Sequence, residues 1–254
     1  MIVIGLGSGR TGTASMASLF GAQPGAICFH ELNPSCAIHQ INPQPLLNTI
    51  NEFQRIIDGG DKRLLTVDYS RQRSVDTYAE LVALPANPSI IGDIAYYYLT
   101  YVDEILAVNP AVKFVCIKRD KQSTVDSWME KTAIKRWPSL WLADRIKSLL
   151  TRTPFHTAMN HWQEHDGQKW ELSPVWDHTF PNFEAAGKRK AVEKYWDWYY
   201  LEAAEVEQKY PDNFKIFDIS MLSHPEGQRA ILMFCGLEDE EMVLRDKVHL
   251  HKSK

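Results

Sequence analysis

Four glycines fall within eight residues near the start of the chain, Gly5, Gly7, Gly9 and Gly12, directly after the apolar run Ile2-Val3-Ile4. Apolar residues return at Met16, Leu19 and Phe20, the i, i+3, i+4 spacing of one helix face. Strand, glycine loop and helix in that order leave few folds open. The glycines let backbone N–H groups turn inward, and the new helix adds its unpaired N–H groups and positive dipole end, so the unit holds an anion.

The rest of the chain repeats the alternation. Residues 26–29 read as a second buried strand ending on His30-Glu31, and 44–57 as an amphipathic helix stopped by Gly59-Gly60. A helix over 76–84 closes at Pro85, a strand over 89–93 precedes a helix over 96–108, and Val112-Lys-Phe-Val-Cys-Ile117 is the strongest strand pattern. Helical spacing resumes over 123–131; a long aromatic helix over 191–210, a strand over 214–218 and a helix over 225–235 close the pattern. The fold class expected is therefore α/β: a mainly parallel sheet with helices on both faces, in one domain over 1–254. Residues 133–187 depart from it. They carry Trp137, Trp141, Trp162, Trp170 and Trp176, five of the eight tryptophans, and no strand signal, and read as a helical insertion. In such sheets ligands bind beyond the carboxyl ends of strands, where residues 5–15, His30-Glu31, Asp93 and Lys118-Arg119 fall.

Composition narrows the partners. A net charge of −4 over 254 residues argues against nucleic acid, and no apolar run approaches membrane-spanning length. Cys28, Cys36, Cys116 and Cys235 show no C-x-x-C spacing; with Cys28 and Cys116 inside strand patterns and no signal-peptide pattern, a cytoplasmic protein is expected. His156, His161, His165 and His178, and His249 with His251, lack the tight pair plus carboxylate or cysteine of a zinc site, so no metal is expected.

Three ligand classes fit a bare glycine loop. A nucleoside triphosphatase needs G-x-x-x-x-G-K-[ST], and Thr13 stands where the lysine belongs. A dinucleotide fold needs G-x-G-x-x-G with a ribose-binding acid closing the second strand; Gly7-Ser-Gly9-Arg-Thr-Gly12 and Glu31, 19 residues on, match it, although Arg10 sits in the tight turn. The third reading takes Arg10-Thr11-Gly12-Thr13-Ala14-Ser15 whole. This run resembles the 5′-phosphosulfate loop of the sulfotransferases that use 3′-phosphoadenosine 5′-phosphosulfate (PAPS). A second stretch matches independently: Arg119-Asp120 at the end of a strand, with Ser127 eight residues later, resembles that family's 3′-phosphate site. Residues 210–222, YPDNFKIFDISML, resemble the late strand and turn of bacterial members. Ala14 and Ser15 stand where many members carry Thr and an adenine-stacking Trp, and the glycine-rich C-terminal segment of the family is missing.

The resemblance implies in-line transfer of a sulfuryl group to a hydroxyl or amine of a small-molecule or carbohydrate acceptor, releasing adenosine 3′,5′-bisphosphate. It implies that Gly9, Arg10, Thr11, Gly12, Thr13, Ala14 and Ser15 hold the 5′-phosphosulfate, and that Arg119 and Ser127 hold the 3′-phosphate. Arg10 would take the charge of the leaving phosphate, since a guanidinium cannot act as an acid near neutrality. Glu31, then His30, is the expected base, at the distance from the loop's basic residue where related carbohydrate sulfotransferases carry a Glu or His. Adjacent residues on an extended backbone point opposite ways, so at most one of the two faces the site. Asp93 is a third candidate, or caps the helix after it. Lys188-Arg-Lys190 reads as a solvated helix start or as further phosphate contacts, and the tryptophans as packing or an acceptor cleft. The rival from another class is a non-catalytic nucleotide-binding module that keeps the loop and lacks a base.

Overall fold

The apolar run that leads the chain becomes the middle strand of a parallel sheet. In a computed structural model, which describes residues 1–32, 43–69, 72–131, 146, 149, 150, 185 and 188–245, β1 (Ile2–Leu6), β2 (Ala26–His30), β3 (Ile90–Ile94), β4 (Lys113–Lys118) and β5 (Phe214–Asp218) lie in the order β2-β3-β1-β4-β5. Every ladder is parallel. β1 and β3 are buried along their whole length, as strands covered on both faces must be, and their Ile, Val and Leu residues, broken by Gly5, Gly92 and Asp93, answer that burial.

The helices among the described residues are α1 (Thr13–Gly21), α2 (Gln44–Ile57), α3 (Gln72–Ala83), α4 (Val102–Val108), α5 (Lys121–Lys131), α6 (Lys188–Lys209) and α7 (Pro225–Phe234). A Cβ on Gly5 would stand 2.6 Å from Met16 Cε of α1 and 2.3 Å from Ile94 Cδ1 of the neighbouring β3; glycine there leaves room for both side chains. Phe29 of β2 stacks on Phe53 of α2 with ring centroids 6.2 Å apart, and Phe114 of β4 on Phe214 of β5 at 6.1 Å. Cys116 and Cys235 are buried free thiols, and Cys28 is a half-buried one.

The helix expected over 96–108 is two pieces. Tyr96–Tyr101 is a 3₁₀ turn and α4 begins at Val102, because the hydroxyls of Tyr97 and Tyr98 are drawn to Asp93. α3 starts at Gln72, four residues before the expected 76. The insertion expected at 133–187 lies almost wholly outside the described residues. The chain divides into two compact units, residues 1–119 with 200–254, and residues 120–199. The first carries the sheet. In the second, α5 and the start of α6 are joined by Lys121 to Asp197 at 2.6 Å and by an Arg189–Asp126 ion pair.

Candidate active site

The loop after β1 is built from left-handed backbone: φ is 78° at Gly9, 61° at Arg10 and 87° at Gly12. Gly12 precedes the first turn of α1, and its carbonyl accepts the first helical bond, from Met16 N–H at 3.0 Å. The N–H groups of Thr13, Ala14 and Ser15 therefore belong to the first turn, which has no intrahelical partners. Left-handed residues in succession turn further N–H groups toward one concavity, an anion nest. Ser15 itself is buried.

Beneath the loop, Tyr200 of α6 donates its hydroxyl to Ile117 O at 2.8 Å, and the Tyr200 hydroxyl oxygen accepts from Ser8 Oγ at 3.4 Å and from Ser8 N–H at 3.5 Å. Lys118 Nζ stands 5.4 Å from the Tyr200 ring centroid, and burial pushes the phenol well above its ordinary pKa. Tyr200 thus fixes the loop to the end of β4. The sequence shows it only as one aromatic among several in a long helix. Thr11 is wholly buried; its hydroxyl lies beside that of Tyr200 but closes no hydrogen bond of ordinary length among the described residues.

Arg119, one residue past β4, donates from Nη1 to Arg10 O at 3.0 Å. Two sequence motifs about a hundred residues apart thus meet in space. Ser127 is on α5, in the other unit.

At the end of β2 the expected pair separates. His30 is the last strand residue, and its Nε2 lies 3.2 Å from Thr13 Oγ1 at the head of α1. Glu31 has left the strand, with φ 56°; it and Arg10 are the two non-glycine residues with positive φ among the described residues. Strand alternation therefore ends at His30 and does not govern Glu31. Asp93 does not cap the turn after it, whose first position is the extended Ala95. Its carboxylate is fully buried and accepts from Leu32 N–H at 3.1 Å, Tyr98 OH at 2.9 Å and Tyr97 OH at 3.2 Å. Burial raises its pKa to about 6, against the lowering effect of those donors.

The topology also decides between ligand classes. A dinucleotide fold sets its second strand beside the first, so that the acid at the second strand's tip meets the ribose. Here β3 lies between β1 and β2, and Glu31 stands two strands from β1. Among the described residues no cluster of three or more His, Cys, Asp or Glu could hold a metal, and no helix is long and apolar enough to cross a membrane. His156, His161, His165, His178, His249 and His251 lie outside the described residues. The arrangement offers an inward-turned amide loop, two arginines joined through its backbone, and an imidazole at its edge, which is equipment for binding a phosphorylated ligand and taking a proton beside it.

Comparison with known proteins bears on which ligand. The sulfotransferase domain family matches residues 2–219. The crystal structure of a sulfotransferase from Alicyclobacillus acidocaldarius superposes with a TM-score of 0.44 and 14% identity over 99% of this chain and 85% of that one, too distant a likeness to bear on the site. No curated protein matches the chain.

Proposed function

Because the chain belongs to the sulfotransferase family, we propose that it moves a sulfuryl group from PAPS to a hydroxyl or amine of a small-molecule or carbohydrate acceptor, releasing adenosine 3′,5′-bisphosphate. The observation that carries this reading is the Arg119–Arg10 contact, which supports a single site for the two phosphate groups of one nucleotide. The loop fits such a ligand: it has left-handed backbone at three positions and a buried Thr11 hydroxyl with hydrogen-bonding capacity to spare.

PAPS, when bound, supplies the sulfuryl group and a phosphate leaving group. The amides of residues 9–15 hold the 5′-phosphate end, with the Thr13 hydroxyl as a further donor. The Arg10 guanidinium neutralises the charge that gathers on the leaving oxygen as the sulfur–oxygen bond breaks. Arg119 binds the 3′-phosphate, and Ser127 joins it on sequence spacing alone. His30, whose ring lies 3.2 Å from Thr13 Oγ1, takes the proton released as the acceptor's oxygen or nitrogen bonds to sulfur; that contact is what supports it here over Glu31.

Calorimetric titration with adenosine 3′,5′-bisphosphate, 5′-AMP, ATP and NAD tests the reading. The bisphosphate should bind tightest, and Arg119→Ala should weaken it by about 10- to 100-fold, the loss of a charge-assisted bond. Preference for ATP or NAD, with indifference to the 3′-phosphate, would sink it.

A further inference from the structure

We propose that Asp93 is a positioning residue for His30: through the Leu32 amide it fixes the turn that follows β2, and so sets where the imidazole meets the anion loop. The significance of His30 as the base rests on the sulfotransferase reading, whereas the contacts do not.

Asp93 is a fully buried carboxylate on β3, and the three groups that donate to it are neutral. An aliphatic side chain would fill a strand position like this at far less cost in desolvation. The carboxylate's return is at the turn. Glu31 N–H donates to Ile94 O at 3.1 Å, continuing the β2–β3 ladder by one residue. Leu32 N–H then donates to Asp93 Oδ1. These two consecutive amides are pinned by two consecutive residues of β3, and the residue between the bonds is the left-handed Glu31. A non-glycine residue at positive φ persists where its surroundings over-determine it. Leu32 O is held as well, by Asp68 N–H at 3.1 Å. Tyr97 and Tyr98, both buried, fix the other carboxylate oxygen.

His30 directly precedes this pinned turn, and its ring contact with Thr13 is the point at which an error in the turn would appear. Arg119 and Arg10 meet on the β4 side of β1, while Asp93 acts on the β2 side. Loss of the Asp93 contacts should therefore alter His30 and spare the nucleotide.

The test follows the His30 ring by ¹⁵N-histidine NMR of the full chain, assigned with His30→Gln, over a pH titration without nucleotide. Tyr98→Phe and Asp93→Ala should each displace the His30 titration midpoint by about half a pH unit or more. Asp93→Asn, whose carbonyl oxygen still accepts from one of these donors, should displace it less than Asp93→Ala does. Adenosine 3′,5′-bisphosphate affinity in these variants should stay within about threefold of wild type. Should Asp93→Ala fail to fold, Tyr98→Phe decides alone. A His30 midpoint unmoved in Tyr98→Phe, or in a folded Asp93→Ala, overturns the proposal, as does loss of bisphosphate affinity with His30 unmoved. Failure of wild type to bind the bisphosphate would strike the donor reading and leave the His30 titration to judge Asp93.

Discussion

Arg10 holds the loop's charge and also its least comfortable backbone. At φ 61° an L-residue bears roughly 1 kcal/mol of steric cost that glycine escapes, and residues of this kind gather where function over-determines them. The only other such residue among those described is Glu31, next to the ring that touches the loop. Two substitutions separate charge from strain. Arg10→Ala removes the guanidinium and keeps the strain, while Arg10→Gly removes both. Urea unfolding should find Arg10→Gly more stable than Arg10→Ala by about 0.5–1 kcal/mol, with bisphosphate binding weakened at least about tenfold in both. Equal or reversed stabilities would mean that residue 10 does not hold its left-handed backbone in solution.

One element is absent from any propensity reading: residues 242–245, an extended strap after the last turn. Met242 and Leu244 pack against the cluster that joins α1 to α7. Between them, two buried glutamines grip the backbone. Gln23 accepts from Val243 N–H at 2.9 Å and donates to Val243 O at 3.0 Å; Gln228 does the same for Arg245 at 2.9 and 2.7 Å. Two side-chain amides here do what a neighbouring strand would do, and Arg245 Nη1 adds a bond to Ser18 Oγ of α1 at 2.9 Å. Replacing Gln228 with Leu strands both Arg245 backbone groups and Leu222 O, which Gln228 also binds. Gln228→Leu should cost about 1–3 kcal/mol in chemical denaturation and speed amide exchange at Arg245, and Gln23→Leu should do the same at Val243. Exchange unchanged at both positions would show that the clamps do not hold the strap.

At the scale of the whole molecule, global stability should carry the mark of Asp93. Its pKa in the fold, about 6, stands above the ordinary 3.8, so the folded state prefers the protonated acid. That preference is fully available below about pH 4 and is lost as pH rises through 6. Glu31, Cys28, Tyr97 and Tyr98 are the ionisable groups around it. Relative to Asp93→Asn, wild type should lose on the order of 3 kcal/mol of unfolding free energy between about pH 4 and about pH 7; a pH-independent difference would place the carboxylate in a wetter setting.

The sheet itself was legible before any coordinates. Short runs rich in apolar and β-branched residues marked all five strands, because the inner strands are covered on both faces, and Pro, Gly and paired apolar faces marked most of the helices. The anion loop was legible from its glycines, two of which, Gly9 and Gly12, take left-handed backbone on either side of Arg10. What a one-dimensional pattern does not carry is strand order. Placement of β3 between β1 and β2 removed Glu31 from the ribose position of a dinucleotide fold, and the left-handed turn at Glu31 means that strand alternation does not decide between it and His30. Asp93, with no basic partner nearby in sequence, read as a cap or a base; only the fold brings Leu32 N–H, Tyr97 and Tyr98 to it. Tyr200, Gln23 and Gln228 were illegible on the same ground, since a side chain's partner 83, 220 or 17 residues away is chosen by packing. Composition and spacing determined the elements and the chemistry of the loop, which are local; tertiary structure decided which side chains converge, which is a matter of distance in space.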